Sequence, residues 1–120
     1  MLEDVPNLSV VMGYTNASWT LKAELTCDYT MRIINHLRTT GMRQAVPRND
    51  DPTMGSASLL GLDAGYIQRA EDSMPKQGTS MPWRVHQNYL KDYRTMKRSE
   101  VDDGVMAFEN PRPVVASSQQ

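Results

Sequence analysis

The sequence predicts an α/β fragment that is mostly helical and incomplete as a fold. It offers a single short apolar run with the character of a buried strand, and a lone strand has no partners for its backbone hydrogen bonds. Its longest predicted helix is apolar on two opposite sides, whereas a surface helix needs one apolar stripe. Only 39% of its 120 residues are hydrophobic, below the ~45–50% (glycine included) of soluble domains. The chain is therefore expected to pack against something that it does not contain.

The apolar run is Leu8–Met12, which follows a turn at Pro6-Asn7 and ends at Gly13. Its β-branched valines favour a buried strand. No other convincing core strand is predicted, so the partner strands are expected to lie outside this chain.

The longest helix is predicted from Trp19 to about Thr40. Asn16 and Ser18 are candidate N-caps, and Gly41 is a natural residue just beyond the C-terminus. At about 100° per residue, the apolar residues form two rows on nearly opposite sides. One row is Leu21, Leu25, Tyr29, Ile33 and Leu37; the other is Trp19, Ala23, Cys27, Met31 and Ile34.

The middle of the chain is predicted to be loop over residues 41–62, because glycines and prolines punctuate it. A short helix is predicted over Asp63–Ser73, after which Met74–Gly78 breaks the pattern. A second long helix is predicted to open at Ser80-Met81-Pro82 and to end at Lys97-Arg98, where basic residues suit the helix dipole.

The C-terminal residues predict a turn followed by a short strand-like run. Asp102–Gly104 has turn composition, and Val105–Phe108 is the apolar run that follows it. Asn110–Gln120 is proline-bearing and then small and polar, which is typical of a frayed tail.

Charge and composition exclude several classes of function. The net charge of −1 gives no electrostatic case for binding nucleic acid or an anionic membrane. No stretch approaches the ~18–20 apolar residues of a membrane span. The single cysteine, Cys27, rules out an internal disulfide and fits a reducing compartment. Because Met1–Pro6 also lacks the basic region of a signal peptide, we expect a cytoplasmic protein.

No residue set has a spacing diagnostic of catalysis or metal binding. The glycines form neither GxGxxG nor a phosphate loop, so no pyrophosphate cradle is predicted. His36 and His86 have no acidic or cysteine cluster at metal-ligand spacing, and each is expected to be a surface or half-buried polar residue. Cys27 lies on an apolar row and is expected to be a buried, unreactive thiol.

Six strings in order carry a resemblance to a known family. They are GYTNASWTLK at 13–22, YIQR at 66–69, PKQG at 75–78, PWR at 82–84, QNYLKD at 87–92 and DDG at 102–104. Together they resemble the C-terminal region of bacterial flavin-containing monooxygenases of the Baeyer–Villiger class, ethionamide-activating enzymes included. The match runs from about Val5 to Pro113, and the loop at 41–62 matches poorly.

The resemblance implies an NADPH- and FAD-dependent enzyme with two dinucleotide-binding domains. In that family the reduced flavin reacts with oxygen to give a C4a-peroxide, which inserts oxygen beside a ketone carbonyl or oxidises sulfur or nitrogen compounds. The glycine loops for FAD and NADPH lie upstream, and Met1 corresponds to an internal position. The chain is therefore expected to be a fragment that is inactive alone and binds neither cofactor. Its expected partners are the missing N-terminal FAD and NADPH domains.

The resemblance also implies a division of the chain into parts of the parent enzyme. Residues 1–40 would end the FAD-binding domain with its last strand and a long helix, and 41–62 would be a loop. Residues 63–109 would form a C-terminal helical segment with a short strand, followed by a disordered tail at 110–120. Trp83, Tyr89 and Leu90 are expected to pack against the missing domains.

The resemblance assigns one cofactor-binding segment, the backbone of Thr15, Asn16, Ala17 and Ser18. In related flavoproteins with two dinucleotide-binding domains, the last strand feeds a helix whose N-terminus faces the pyrimidine edge of the flavin. Free N–H groups at a helix start carry a partial positive charge, which would favour the anionic reduced flavin. An ordinary capped helix start would explain the same residues. No catalytic or metal-binding residue is predicted.

A second class of function stays open at this point: a small, non-enzymatic helical module that binds another chain. A GxGxxG-bearing reading frame directly upstream of Met1 would favour the enzyme fragment. A promoter and a ribosome-binding site there would favour the module.

Overall fold

The computed structural model describes residues 2–59 and 65–111, with the backbone alone at residues 66–68 and 71. The described chain is α/β with more helix than strand, as predicted. In chain order its elements are α1 (Trp19–Thr40), β1 (Gln44–Pro47), β2 (Ser56–Ser58), α2 (Gly65–Ala70), a 3₁₀ turn (Glu71–Ser73), β3 (Lys76–Gly78), α3 (Tyr89–Tyr93), a π-helical turn (Arg94–Arg98) and β4 (Met106–Glu109). They form two compact units, Met1–Asn49 with Tyr89–Gln120, and Asp50–Asn88.

The first unit is organised around α1, whose predicted bounds are confirmed. The helix has 22 residues and ends at Gly41, which takes the left-handed conformation at φ 70°. Glycine adopts that conformation without the steric cost that a Cβ would add. Ser18 is the N-cap residue, but its hydroxyl makes no capping hydrogen bond.

The two apolar rows of α1 have different environments. Leu25 is only 2% exposed, and the row residues on its C-terminal side (Tyr29, Ile33 and Leu37) are half-buried. In the opposite row, Trp19 is 56% exposed, Met31 54% and Ile34 41%. Cys27 lies on this outer row and is exposed, so the prediction of a buried thiol is wrong. One side of α1 therefore packs within the unit, and the other faces outward.

Residues 8–12 lie in a mostly exposed, irregular segment without strand pairing, so the predicted buried strand is wrong for this chain. Leu8, Val10 and Val11 are each close to half exposed, at 45%, 48% and 45%. The described residues place no neighbouring strand beside the segment, and a β-ladder requires one. Ser9 instead contacts Thr30 of α1 through a hydroxyl–hydroxyl hydrogen bond of 2.7 Å.

β1 lies within the stretch predicted to be loop, which corrects that prediction for residues 44–47. It pairs antiparallel with β4, with Val46 opposite Ala107 and Pro47 opposite Met106. The strand-like run predicted near residues 105–108 is thereby confirmed as β4. The turn before it is confirmed as well: Gly104 has φ 82°, and the Asp103 carboxylate accepts the backbone N–H groups of Val105 and Met106.

The other edge of β1 is covered by the N-terminal segment. The Asn7 backbone N–H donates to the Ala45 carbonyl at 2.9 Å, and that of Asp4 donates to the Pro47 carbonyl at 2.9 Å. The Asn7 side chain accepts the Ala45 N–H at 3.0 Å. β1 therefore lies between β4 and the N-terminal segment, and backbone hydrogen bonds reach it from both sides.

The second long helix predicted from Ser80 to Arg98 is much shorter. Backbone N–H groups of Trp83 and Arg84 both donate to the Ser80 carbonyl, which makes a turn. Helix begins only at Tyr89, as α3, and continues as the π-helical turn. Arg32 of α1 holds the end of this segment by donating to the carbonyls of Met96 (2.6 Å) and Ser99.

The second unit is built around an antiparallel pair, β2 with β3, in which Ser58 lies opposite Lys76. These short strands fall where loop and a break were predicted. The Gln77 side chain donates to the Ser58 carbonyl at 2.7 Å and accepts the Val85 N–H at 2.9 Å. The short helix predicted over 63–73 is confirmed from residue 65 onward as α2 and the 3₁₀ turn.

Within the described ranges, no helix is long and apolar enough to cross a membrane. The predicted tail lies outside the described residues from 112 onward. The division into parts of a parent enzyme stays a prediction, because the two compact units are defined by contacts within this chain alone.

Candidate functional site

The predicted cofactor-binding segment, Thr15–Ser18, joins a buried tyrosine to the start of α1. Tyr14 is 4% exposed, whereas each residue from Thr15 to Ser18 is exposed. The segment is therefore an exposed connection between a buried residue and the start of a helix. A ligand could approach all four of its residues.

The N-terminus of α1 gives this segment a chemical character. Ser18 has φ −58° and ψ 121°, and its side chain does not cap the helix. No acidic residue occupies the first turn. Since first-turn N–H groups have no intrahelical acceptors and carry a partial positive charge, the segment suits an electron-rich ligand edge.

Gly13 fixes the path of the chain into the segment through a close contact with Trp19. A Cβ built on Gly13 would lie 2.1 Å from Trp19 Cδ2 and 2.4 Å from Cγ. Only a residue without a side chain fits beneath the indole ring in this arrangement. The first residue of α1 therefore covers the backbone that precedes the segment.

Replacing Gly13 by Ala is expected to push the Trp19 indole away from residue 13, because the ring is 56% exposed and has room to swing outward. The measurement is Trp19 fluorescence in a Trp83→Phe background, where the emission should shift to the red. Gly65→Ala is the matched control, since its Cβ would meet nothing within 4 Å. An unchanged emission spectrum in Gly13→Ala would contradict the close contact.

A buried cluster of Tyr14, Lys22 and Asp92 lies next to the segment. The Tyr14 hydroxyl donates to Asp92 Oδ2 at 2.7 Å, and Lys22 Nζ lies 3.3 Å from the same oxygen. Lys22 Nζ is also 5.0 Å from the centre of the Tyr14 ring. The side chains of Lys22 and Asp92 are 12% and 10% exposed, so the three polar groups lie close together in a largely buried site.

Burial raises the pKa of the Tyr14 phenol well above its ordinary value of 10.0, and the hydrogen bond to Asp92 and the Asp92 charge raise it further. Tyr14 is therefore a hydrogen-bond donor throughout the physiological pH range. A buried carboxylate requires such partners, because an unpaired charge in a dry site costs several kcal/mol.

Sequence analysis missed this cluster. Tyr14 and Asp92 are 78 residues apart, and a pair at that distance leaves no periodic or motif signal. Asp92 lies in the QNYLKD string and Tyr14 in the GYTNASWTLK string. Two of the six strings that carried the resemblance therefore meet in the structure through these side chains.

The other side chains considered from the sequence are not members of this cluster. Tyr89 and Leu90 are 37% and 71% exposed, and Trp83 is half-buried in the second unit. Both histidines are half-buried, as predicted, and the His36 ring lies 4.3 Å from that of Phe108. Among the residues that the structure covers, no group of histidine, cysteine and acidic side chains could hold a metal ion.

Comparison with known proteins identifies the relatives of the chain. No family model and no solved structure matches it. It is 40% identical over 116 residues to an FAD-binding monooxygenase, AlmA, of Acinetobacter baylyi. The chain is a homologue of FAD-containing monooxygenases. Two more relatives are EthA of Mycolicibacterium smegmatis (37% over 118 residues) and MymA of Mycobacterium tuberculosis (40% over 109 residues), both named FAD-containing monooxygenases.

The alignments cover nearly all of this chain but only a small part of each relative. The aligned residues make up 96%, 98% and 90% of this chain. They make up only 23%, 24% and 22% of AlmA, EthA and MymA, respectively. This chain therefore spans less than a quarter of the length of each of these relatives.

Proposed function

We propose that the chain is the C-terminal part of a cytoplasmic, NADPH- and FAD-dependent monooxygenase of the Baeyer–Villiger type and is inactive by itself. Such an enzyme inserts oxygen beside a ketone carbonyl or oxidises sulfur or nitrogen compounds. The observation that carries the proposal is the 37–41% identity over nearly the whole chain to FAD monooxygenases about four times its length.

The residues present fit one part of FAD and not another. No described loop joins a strand to a helix through closely spaced glycines, so the described chain offers no cradle for the diphosphate. The exposed start of α1 does suit the electron-rich pyrimidine edge of the ring. When bound, the flavin would supply the two electrons that activate dioxygen, and this chain would contribute donors at one edge of the ring.

The donors we propose are the backbone N–H groups of Thr15, Asn16, Ala17 and Ser18. Reduction of a flavin places negative charge at the O2/N1 edge. A helix N-terminus stabilises a nearby anion by about 0.3–1 kcal/mol, and by up to ~2 kcal/mol in a partly buried geometry. The segment would therefore favour the reduced over the oxidised flavin.

The outward side of α1 supplies a second part of the proposal. Trp19, Met31 and Ile34 are exposed on one helix face. Ser9 contacts Thr30, so the exposed residues Leu8, Val10 and Val11 lie beside the same helix. We assign this apolar surface to contact with the remaining three quarters of the longer polypeptide, its FAD- and NADPH-binding domains.

The flavin role is tested by Ser18→Pro in a full-length relative that carries the Gly13–Lys22 string. Ser18 already has φ −58°, which a proline ring accepts, so the change removes one N–H donor without a conflict at the φ angle of residue 18. The flavin midpoint potential should fall by roughly 6–40 mV, because about 30 mV corresponds to 1.4 kcal/mol for a two-electron couple. NADPH affinity should change little.

Ser18→Ala is the matched control. It keeps the N–H group and removes only a hydroxyl that makes no capping hydrogen bond, so the potential should stay at the parent value. If Ser18→Pro lowers stability and leaves the potential unmoved, the segment is a plain helix start and its proposed flavin role is wrong.

A further inference from the structure

One carboxylate oxygen contacts both flanks of the Thr15–Ser18 segment. Asp92 Oδ2 accepts the hydroxyl of Tyr14, the residue directly before the segment, at 2.7 Å. The same atom lies 3.3 Å from the ammonium of Lys22, which is one helical turn beyond Ser18. The segment is thus bracketed by two contacts that converge on a single residue of α3.

The charges of this cluster are close to the segment and poorly screened. Lys22 and Asp92 are roughly nine-tenths buried, and charges removed from water interact more strongly than exposed ones. Together the ammonium and the carboxylate nearly cancel. The net side-chain charge of the cluster next to the start of α1 is therefore close to zero. The backbone dipoles of the helix start then dominate the local field.

We propose that Asp92 is a positioning residue for the cofactor segment: it holds Tyr14 and Lys22 on either side of Thr15–Ser18 and balances the Lys22 charge there. The inference rests on the proposed flavin role of this segment. It assigns a function to α3, the element that carries Asp92.

The experiment uses a full-length relative in which the equivalents of Tyr14, Lys22 and Asp92 are present, loaded with FAD. Asp92→Asn keeps the side-chain shape and removes the negative charge, so the flavin midpoint potential should rise. Lys22→Met removes the positive charge, and the potential should fall. The double variant should return towards the parent value, since it removes both charges.

Tyr14→Phe is the charge-neutral comparison. It removes the hydrogen bond to Asp92 and leaves both charges in place, so stability should drop and the potential should change less than in either charge variant. A cluster that only holds the fold together would lower stability in all four variants without opposite shifts in potential. That outcome overturns the inference.

Ser18→Pro separates the inference from the proposed function. If Ser18→Pro lowers the potential and neither Asp92→Asn nor Lys22→Met moves it, the segment meets the flavin and Asp92 has no part in tuning it. If none of the three moves the potential, the flavin role of the segment fails as well. Should Asp92→Asn not fold, Lys22→Met alone decides, because an unmoved potential there also overturns the inference.

Discussion

Purified alone, the 120-residue chain should carry no FAD through gel filtration and should consume no NADPH above the buffer rate. Holding a ligand at 1 μM requires about 8.2 kcal/mol of binding free energy. The donors at the start of α1 offer no more than ~2 kcal/mol. The described residues provide no phosphate cradle that could make up the difference, and the flavin and nicotinamide sites of the parent family are expected upstream.

The measurement is the flavin absorbance of the eluted protein, together with NADPH oxidation followed by its own absorbance. A full-length relative, expressed and handled in parallel, serves as the control and should elute yellow. Stoichiometric FAD on the isolated chain would show that the chain completes a cofactor site by itself, against the proposal that it is one part of a larger enzyme.

Ile34→Glu should have a large effect in a full-length relative with an apolar residue at this position, and almost none in the isolated chain. Ile34 is 41% exposed in the outer row of α1, so a carboxylate there stays in water and changes stability within about ±0.5 kcal/mol. If the remaining polypeptide covers this row, the same carboxylate becomes buried without a partner. That costs several kcal/mol.

Asn35→Glu is the matched control, because it adds the same charge one residue along the helix at another exposed position. Chemical denaturation of the full-length relative should show a clear loss of stability for Ile34→Glu and little for Asn35→Glu. Equal small effects in the full-length protein would mean that the outer row of α1 faces solvent there too, and the proposed contact surface would be wrong.

The helix α1 could be predicted from sequence because its signals are local. Its apolar spacing, its N-cap position and Gly41 all lie within two residues of the observed helix or inside it. The same spacing also predicted two apolar sides, although periodicity does not say which side the chain itself covers. Cys27 was misplaced for that reason, since it lies on the side that the chain leaves open.

The strands could not be predicted in the same way. β1 has four residues, includes Pro47, and pairs with a strand near the other end of the chain, so no period-2 pattern of useful length exists. Leu8–Met12 had the stronger strand composition, yet a strand is defined by its neighbour and none is present among the described residues. The Tyr14–Lys22–Asp92 cluster was invisible because residues far apart in sequence meet only after folding.

Because β1 pairs with β4, the first unit can finish folding only after the residues of β4 have been synthesised. A ribosome adds about 5–20 residues per second and releases the N-terminal part first. α1 and β1 therefore emerge while both the carboxylate that binds Lys22 and the strand that begins at Met106 are still unmade. Until those residues leave the exit tunnel, the side of the long helix that carries Leu25 lacks the partners that pack against it in the folded unit. A nascent chain in that state exposes apolar surface to chaperones, and the folded unit buries part of that surface.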